Sequence, residues 1–452
     1  SSDNQLKDIR SATTIQISNN SNTKYRYSAV YARVGYSYDD KYVVNLTGRR
    51  DGSSRFGPGK QFGNFGAIGI AWLFNKENFF VNNRYLDFGK IRASYGITGN
   101  DQLENYKFIS SFTSIGRSYQ GIAGIVPMQH TNPEYGWETV AKLEAALELG
   151  LLKNRLQLTV NWYQNRTRNQ LVGYALPLYT GFANVQMNLP AIIGNSGTEI
   201  EATVNLLNKR NFSWSFDLNY STPRNKLISY PGIESSSYAT RYKVGQPLSG
   251  AFLYNYTGLD TETQIPTFSD LNSDGLIRSM DDRAYNFIGQ RGFGGINNSF
   301  TISNQFQFDI FLQYVKQVGY EFYGALTPGT FLNSNGNLPL HILDDSSMFK
   351  HFSQNPLSPA SNAYFLLYGS DGVIGDASFL RLKNISVSYS LSQQLKSQLK
   401  LRDLKIYVQG QNLLTFTNYR GLDPEASRIS GDSGVPKLPP LRMGIIGIQI
   451  SL

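Results

Sequence analysis

Phe212, Trp214, Phe216, Leu218 and Tyr220 take every second position of one stretch, with Ser213, Ser215, Asp217, Asn219 and Ser221 between them. Leu156, Leu158, Val160 and Trp162 alternate in the same way with Gln157, Thr159 and Asn161, as do Ile200, Ala202, Val204 and Leu206 with Glu199, Glu201, Thr203 and Asn205. Successive side chains of a strand point to opposite faces, so period two gives each segment one dry face and one wet face. Residues 143–149, 385–391, 404–408 and 446–452 read alike. Gly, Asn, Asp and Ser separate the segments, which predicts about fifteen strands and an all-β fold. They are placed at 25–38, 41–50, 65–74, 88–98, 139–150, 154–167, 196–207, 211–222, 249–258, 283–290, 295–304, 306–320, 376–391, 402–415 and 440–452.

A soluble sandwich alternates too. Connection length separates the two architectures. Tight hairpins are expected around Asp39-Asp40, Lys153-Asn154, Lys209-Arg210 and Asn304-Gln305, and between them lie long polar connections such as 99–138 and 169–194. Short turns alternating with long loops are the pattern of outer-membrane barrels. The longest apolar runs, Phe65 to Phe74 and Met443 to Leu452, stop near ten residues, short of the roughly 20 that a membrane-spanning helix needs. The asymmetry favours a transmembrane antiparallel β-barrel and leaves a soluble β fold as the alternative. An odd number of strands cannot close such a barrel alone, and an open edge cannot face lipid, so further strands must complete the wall.

Of 452 residues, 42 are basic and 33 acidic, a net charge of +9, and none is Cys. Lack of cysteine excludes disulfide frameworks, Cys-based zinc sites and thiol nucleophiles. The basic residues are dispersed over many strands without a binding motif, which sets nucleic acid aside as a partner. Ser1-Ser2-Asp3-Asn4 has neither the basic nor the apolar part of a signal peptide.

Arg49-Arg50-Asp51-Gly52-Ser53-Ser54-Arg55-Phe56-Gly57 resembles the SusC/RagA family of TonB-dependent outer-membrane transporters. So do Lys90-Ile91-Arg92-Ala93-Ser94-Tyr95-Gly96-Ile97-Thr98-Gly99-Asn100 and the strand with Arg381-Leu382-Lys383-Asn384-Ile385-Ser386-Val387-Ser388-Tyr389. The longest match runs from Tyr407-Val408-Gln409-Gly410-Gln411-Asn412 through Gly421-Leu422-Asp423-Pro424-Glu425 and is similar to the family's penultimate strand and following loop. The resemblance implies that this chain supplies about 15 of the 22 strands of a plugged barrel. It also implies that the plug and the TonB-contacting segment lie outside this chain, on a companion N-terminal fragment. Residues 1–24 are then an extracellular loop segment, a site for proteolytic nicking, and 25–452 the C-terminal part of the barrel.

The implied function is TonB-dependent import of oligosaccharides or oligopeptides across the bacterial outer membrane, under a SusD-like surface lipoprotein. The alternative is a passive pore or surface-binding barrel without energy coupling. Catalysis is not expected, because the only imidazoles, His130, His341 and His351, fall in predicted loops with no convergent nucleophile.

Candidate contacts to substrate or lid are basic and aromatic. Arg49, Arg50 and Arg55 share a predicted outer-rim loop with Asp51 and would attract an anion, or pair internally. Tyr119, Trp137, Tyr179 and Tyr238, with Tyr135, Phe182, Tyr230 and Tyr242, offer faces on which sugars or peptides stack, although such rings also build girdles and loop cores. From Asp270 to Asp281 the chain has a calcium-loop spacing: Asp270, Asn272 and Asp274 at alternate positions, then Gly275, Leu276 as the carbonyl position, and Asp281 at the twelfth. Ca2+ is the cofactor this spacing suggests, and ordinary turns are the competing reading. The strand count puts that loop on the periplasmic side.

Overall fold

The computed structural model describes residues 22–80, 83–120, 122–182, 184–277, 280–321, 359–426 and 438–451. The expected loop segment 1–24 therefore lies outside the described residues but for its last three, which are exposed coil. The first ten strands are β1 (Tyr27–Tyr38), β2 (Tyr42–Ser53), β3 (Phe62–Trp72), β4 (Leu86–Asn100), β5 (Ser111–Tyr119), β6 (Ile122–Gln129), β7 (Glu138–Leu151), β8 (Leu156–Ala175), β9 (Asn184–Lys209) and β10 (Phe212–Ser221). Then come β11 (Arg224–Ser229), β12 (Gly250–Tyr254), β13 (Tyr256–Leu259), β14 (Pro266–Phe268), β15 (Arg283–Phe287), β16 (Gly289–Ile302), β17 (Phe306–Tyr320), β18 (Ile374–Asp376), β19 (Phe379–Ser390), β20 (Asp403–Thr417) and β21 (Met443–Ser451). Two helices, α1 (Pro359–Tyr368) and α2 (Gln393–Leu399), sit in connections.

One antiparallel sheet holds fifteen strands. Its path is β1-β2-β3-β4-β7-β8-β9-β10-β16-β17-β19-β20-β21, with β11 alongside β9 and β18 alongside β17. The tight turns form because their residues accept a left-handed backbone: Asp39 and Asp40 at φ 50° and 51°, Lys153 and Asn154 at 61° and 56°, Ser303 and Asn304 at 51° and 55°. That geometry matches the twist of the flanking strands.

Register carries the period-two pattern across the wall. Val34, Leu46, Ile68, Tyr95 and Leu143 stand side by side on five neighbouring strands, and all five are exposed. On the other face Arg92, Ala146, Asn161 and Glu199 form a row. In a soluble sandwich the first row would be the core. Here two buried apolar clusters found among the described residues sit toward the long connections: one around Tyr364, Leu367 and Val373, and one where Leu189 and Ile193 of β9 and Leu227 of β11 meet Tyr230 of the connection that follows. The apolar face is left for a solvent other than water.

The number of strands agrees with the sequence reading, but not their identity. Residues 249–258 and 283–290, expected to cross, fold instead into two small ribbons, β12 with β15 and β13 with β14. Their strands have three to five residues, about half of what a crossing requires. Thirteen strands remain on the path, so the parity is unchanged, yet everything from 222 to 288 becomes one connection. The connections 54–61, 101–137, 176–183, 222–288, 321–378 and 418–442 consequently share one end of the sheet, and the tight hairpins share the other. The Asp270 loop belongs to the long-loop end, which corrects the periplasmic placement.

Candidate functional site

The rim of the long-loop end gathers most of the expected contact residues. Strand β2 runs on through Ser53, so Arg49, Arg50 and Asp51 are strand residues and only Arg55 lies in the loop. Their alternation separates them. Arg49 shares the polar face with Asp51, whose carboxylate is buried and accepts from Arg49 Nε at 2.9 Å, while Arg49 Nη2 donates to the Tyr27 hydroxyl at 2.9 Å. Arg50 points the other way, donating to Asn64 Oδ1 and lying 5.2 Å from the Phe62 ring. Arg55 donates to Asn105 Oδ1 at 3.1 Å and to the Asp101 carbonyl at 2.7 Å, beneath Tyr25. Each of the three is held by neighbours within the chain.

Trp137 is half-buried in an aromatic corner. Its ring centroid is 4.7 Å from that of Phe56 and 5.3 Å from that of Phe65, and its indole N–H donates to the Gln61 carbonyl at 3.0 Å. Phe56 and Tyr135 beside it have no exposed surface. The corner closes because two glycines leave room: a Cβ at Gly57 would overlap the Pro133 carbonyl, and one at Gly99 would overlap the Phe65 ring. Burial pushes the Tyr135 phenol up to about 12, and its hydroxyl has no hydrogen-bond partner among the described residues. The polar flank of this corner, with Arg49, Asp51, Asp101 and Trp137, borders a cavity of about 270 Å3.

Tyr238 also lies in a packed group, with ring centroids 5.8, 6.3 and 5.7 Å from Tyr174, Tyr230 and Tyr242, and burial raises its phenol pKa. Tyr179 is different. It stands 91% exposed at the tip of the β8–β9 hairpin, the most open of these rings among the described side chains. Tyr119 ends β5, in the β5–β6 hairpin that rises from the rim; its side chain lies outside the described residues. Phe112, Ile122, Ile125 and Met128 leave that hairpin with exposed apolar surface.

In the acidic loop the side chains bind their own backbone. Asp270 accepts from the amides of Ser273 and Gly275 at 2.7 and 2.8 Å, Asn272 from Asp274 and Asp274 from Leu276. Asp281 is exposed, whereas its neighbour Asp282 is buried and accepts from the Leu271 amide. Among the described residues no three acidic or imidazole side chains group as metal ligands. His130 is exposed, with Nδ1 against the Thr131 carbonyl; His341 and His351 lie outside the described residues.

The polar face of the wall is charged and largely self-paired on β4 and β7. Glu148 accepts from Lys90 and from Arg92, and Arg92 also reaches Asn161. Further round the sheet is a site the candidate residues did not include. Arg381 on β19, 1% exposed, donates from Nη2 to Asp423 and from Nη1 to Glu425, both at 2.6 Å, and from Nε to Thr415. Lys383 adds a second contact to Glu425, and Gln317 from β17 donates to the Pro424 carbonyl. Two of the stretches that carried the family resemblance are thus one latch, fixing the β20–β21 loop to the wall. A lone arginine at a polar-face strand position and two carboxylates around a proline were the available signal.

The family description "TonB dependent receptor-like, beta-barrel" matches residues 2–413. TonB-dependent receptor P3 of Formosa agariphila is 29% identical over 88% of this chain and 42% of its own length. TonB-dependent receptor SusC of Bacteroides thetaiotaomicron is 24% identical over 94% of this chain and 44% of its own length. The chain thus spans less than half of these relatives. Among solved structures, the RagAB peptide transporter superposes with a TM-score of 0.78, 21% identity, and coverage of 95% of this chain and 47% of that one, a likeness of fold.

Proposed function

Because the chain belongs to the TonB-dependent receptor-like β-barrel family, we propose that it is the C-terminal wall and loop set of an outer-membrane transporter that imports oligosaccharides or oligopeptides using energy delivered through TonB. The observation that carries this reading is the two-faced wall. Exposed Val34, Leu46, Ile68, Tyr95 and Leu143 suit hydrocarbon on the outside, and the charged row with Arg92 and Glu199 suits a hydrated lumen that holds a plug. The plug and the TonB-contacting segment would come from the companion N-terminal part. The long-loop end would face outward, and its free apolar hairpin β5–β6 and exposed Tyr179 are the surfaces offered to a SusD-like lipoprotein lid.

The whole protein, produced in a bacterial host, should accumulate labelled oligosaccharide or oligopeptide in a TonB-dependent manner. Flux that persists without TonB would mark a passive pore instead. Excision of 321–376 should weaken lid association or uptake, and unchanged values for both would remove the loops from lid binding.

A further inference from the structure

A cavity of about 400 Å3 opens at the rim where β9, β11 and β16 meet, away from the aromatic corner and from the Arg381 latch. Its volume is within the range of about 300–1,000 Å3 usual for small-molecule sites. Two arginines line it, and neither has an acidic partner among the described residues. Arg224 is oriented by carbonyls alone, donating from Nη1 to Arg291 at 2.9 Å and to Pro223 at 3.4 Å. Arg291 falls at an irregularity of the β16–β17 ladder, between Gln290 and Gly292, which frees it from strand pairing, and its guanidinium lies 5.4 Å from the Phe287 ring. The contrast with Arg49, Arg92 and Arg381 is chemical: those three give their charge to Asp51, Glu148 and Asp423, whereas no carboxylate lines this cavity.

Neutral donors stand beside the two cations. Asn225 Nδ2 donates to Asn195 Oδ1 at 2.6 Å, so the Asn195 amide nitrogen is left for another acceptor, and Gln290 lines the cavity with no partner among the described residues. Two guanidinium groups without a carboxylate partner, free amides and the Tyr163 and Phe287 rings suit a ring that carries an anionic group and several hydroxyls. A peptide bound as an added strand would need an open backbone edge, and beside the cavity β9 is paired with β8 on one side and β11 on the other.

Resting on the import reading above, we propose that this cavity is a subsite for an acidic oligosaccharide, with the carboxylate or sulfate of one sugar held by Arg224 and Arg291. The test uses the whole protein in detergent, titrated calorimetrically with short uronate-containing oligosaccharides, their sulfated counterparts and their neutral parents. The wild type should bind an acidic ligand about tenfold or more tightly than its neutral parent, as charge-assisted hydrogen bonds to a guanidinium pair require. Arg224→Gln with Arg291→Gln should erase that preference and its sensitivity to salt; Arg224→Lys with Arg291→Lys should retain part of it. The uronate and sulfate arms decide which anion is preferred. Acidic ligands bound no better than neutral ones, neither kind bound at all, tighter binding of an acidic peptide, or indifference to the double Gln change would each overturn the assignment. TonB-dependent uptake of a neutral oligosaccharide by both wild type and double variant would then show that the subsite had failed and import had not.

Discussion

At one corner of the long-loop end, Phe56, Phe65, Tyr135 and Trp137 fasten the 54–61 and 101–137 connections through apolar area; at another, Arg381 fastens the 418–442 connection through Asp423 and Glu425. Both devices fold a polar loop back onto a wall that has no core of its own. The aromatic corner works by shape and depends on bare backbone at Gly57 and Gly99. The ionic corner depends on complete pairing, because Arg381 and Asp423 have been taken out of water and neither can lose its partner cheaply. Apolar packing should therefore weaken in steps as atoms are removed, and the latch should fail as a unit.

Breaking the latch is expected to have the larger effect. Arg381→Ala leaves Asp423 buried and unpaired, which should cost about 3–5 kcal/mol. Hydrogen exchange in residues 418–426 should then rise sharply while the β2–β3 rim keeps its protection; equal protection in both would deny the latch its role. Trp137→Ala should cost about 3 kcal/mol, the low end for a large aromatic because the ring is only half-buried, with the exchange pattern reversed.

Alkali sharpens the contrast further. Burial raises the Tyr135 phenol to about 12 from an ordinary 10.0, so the neutral form is the one the fold favours. Its contribution is complete below pH 10 and is lost as pH rises through about 12, because the native state then holds a proton that the unfolded chain has released. Loosening of the aromatic corner over that window, followed by exchange and by phenolate absorbance, should be absent in Tyr135→Phe. At neutral pH the same substitution should change stability by less than about 1 kcal/mol, since the hydroxyl has no partner to lose. A large loss would reveal a hydrogen bond there.

Alternation made the wall legible, since a strand between hydrocarbon and water must change character at every residue. It could not tell a crossing strand from a loop ribbon: β12 and β15 are short segments rich in apolar and aromatic residues, and their length and pairing set them apart from the wall strands. That confusion moved the Asp270 loop to the wrong end. The chemistry of the rim was less readable. Arg49, Arg50 and Arg55 looked like one cluster, but strand periodicity sends Arg49 and Arg50 to opposite faces, and Arg55 turns to Asn105 fifty residues on. Arg381 and Asp423 are 42 residues apart, a pairing that no local pattern encodes.

Concentrating the four longest connections at one end also sets which end of the sheet can be drawn into a bilayer. A tip such as Asp39-Asp40 carries few hydrated groups through hydrocarbon, whereas residues 222–288 would have to shed water from a folded, polar mass. Drawing the lightly furnished end into hydrocarbon costs little and drawing in the other costs much, so the bulk of its loops would keep the sheet from slipping through or turning over once it stands in a bilayer.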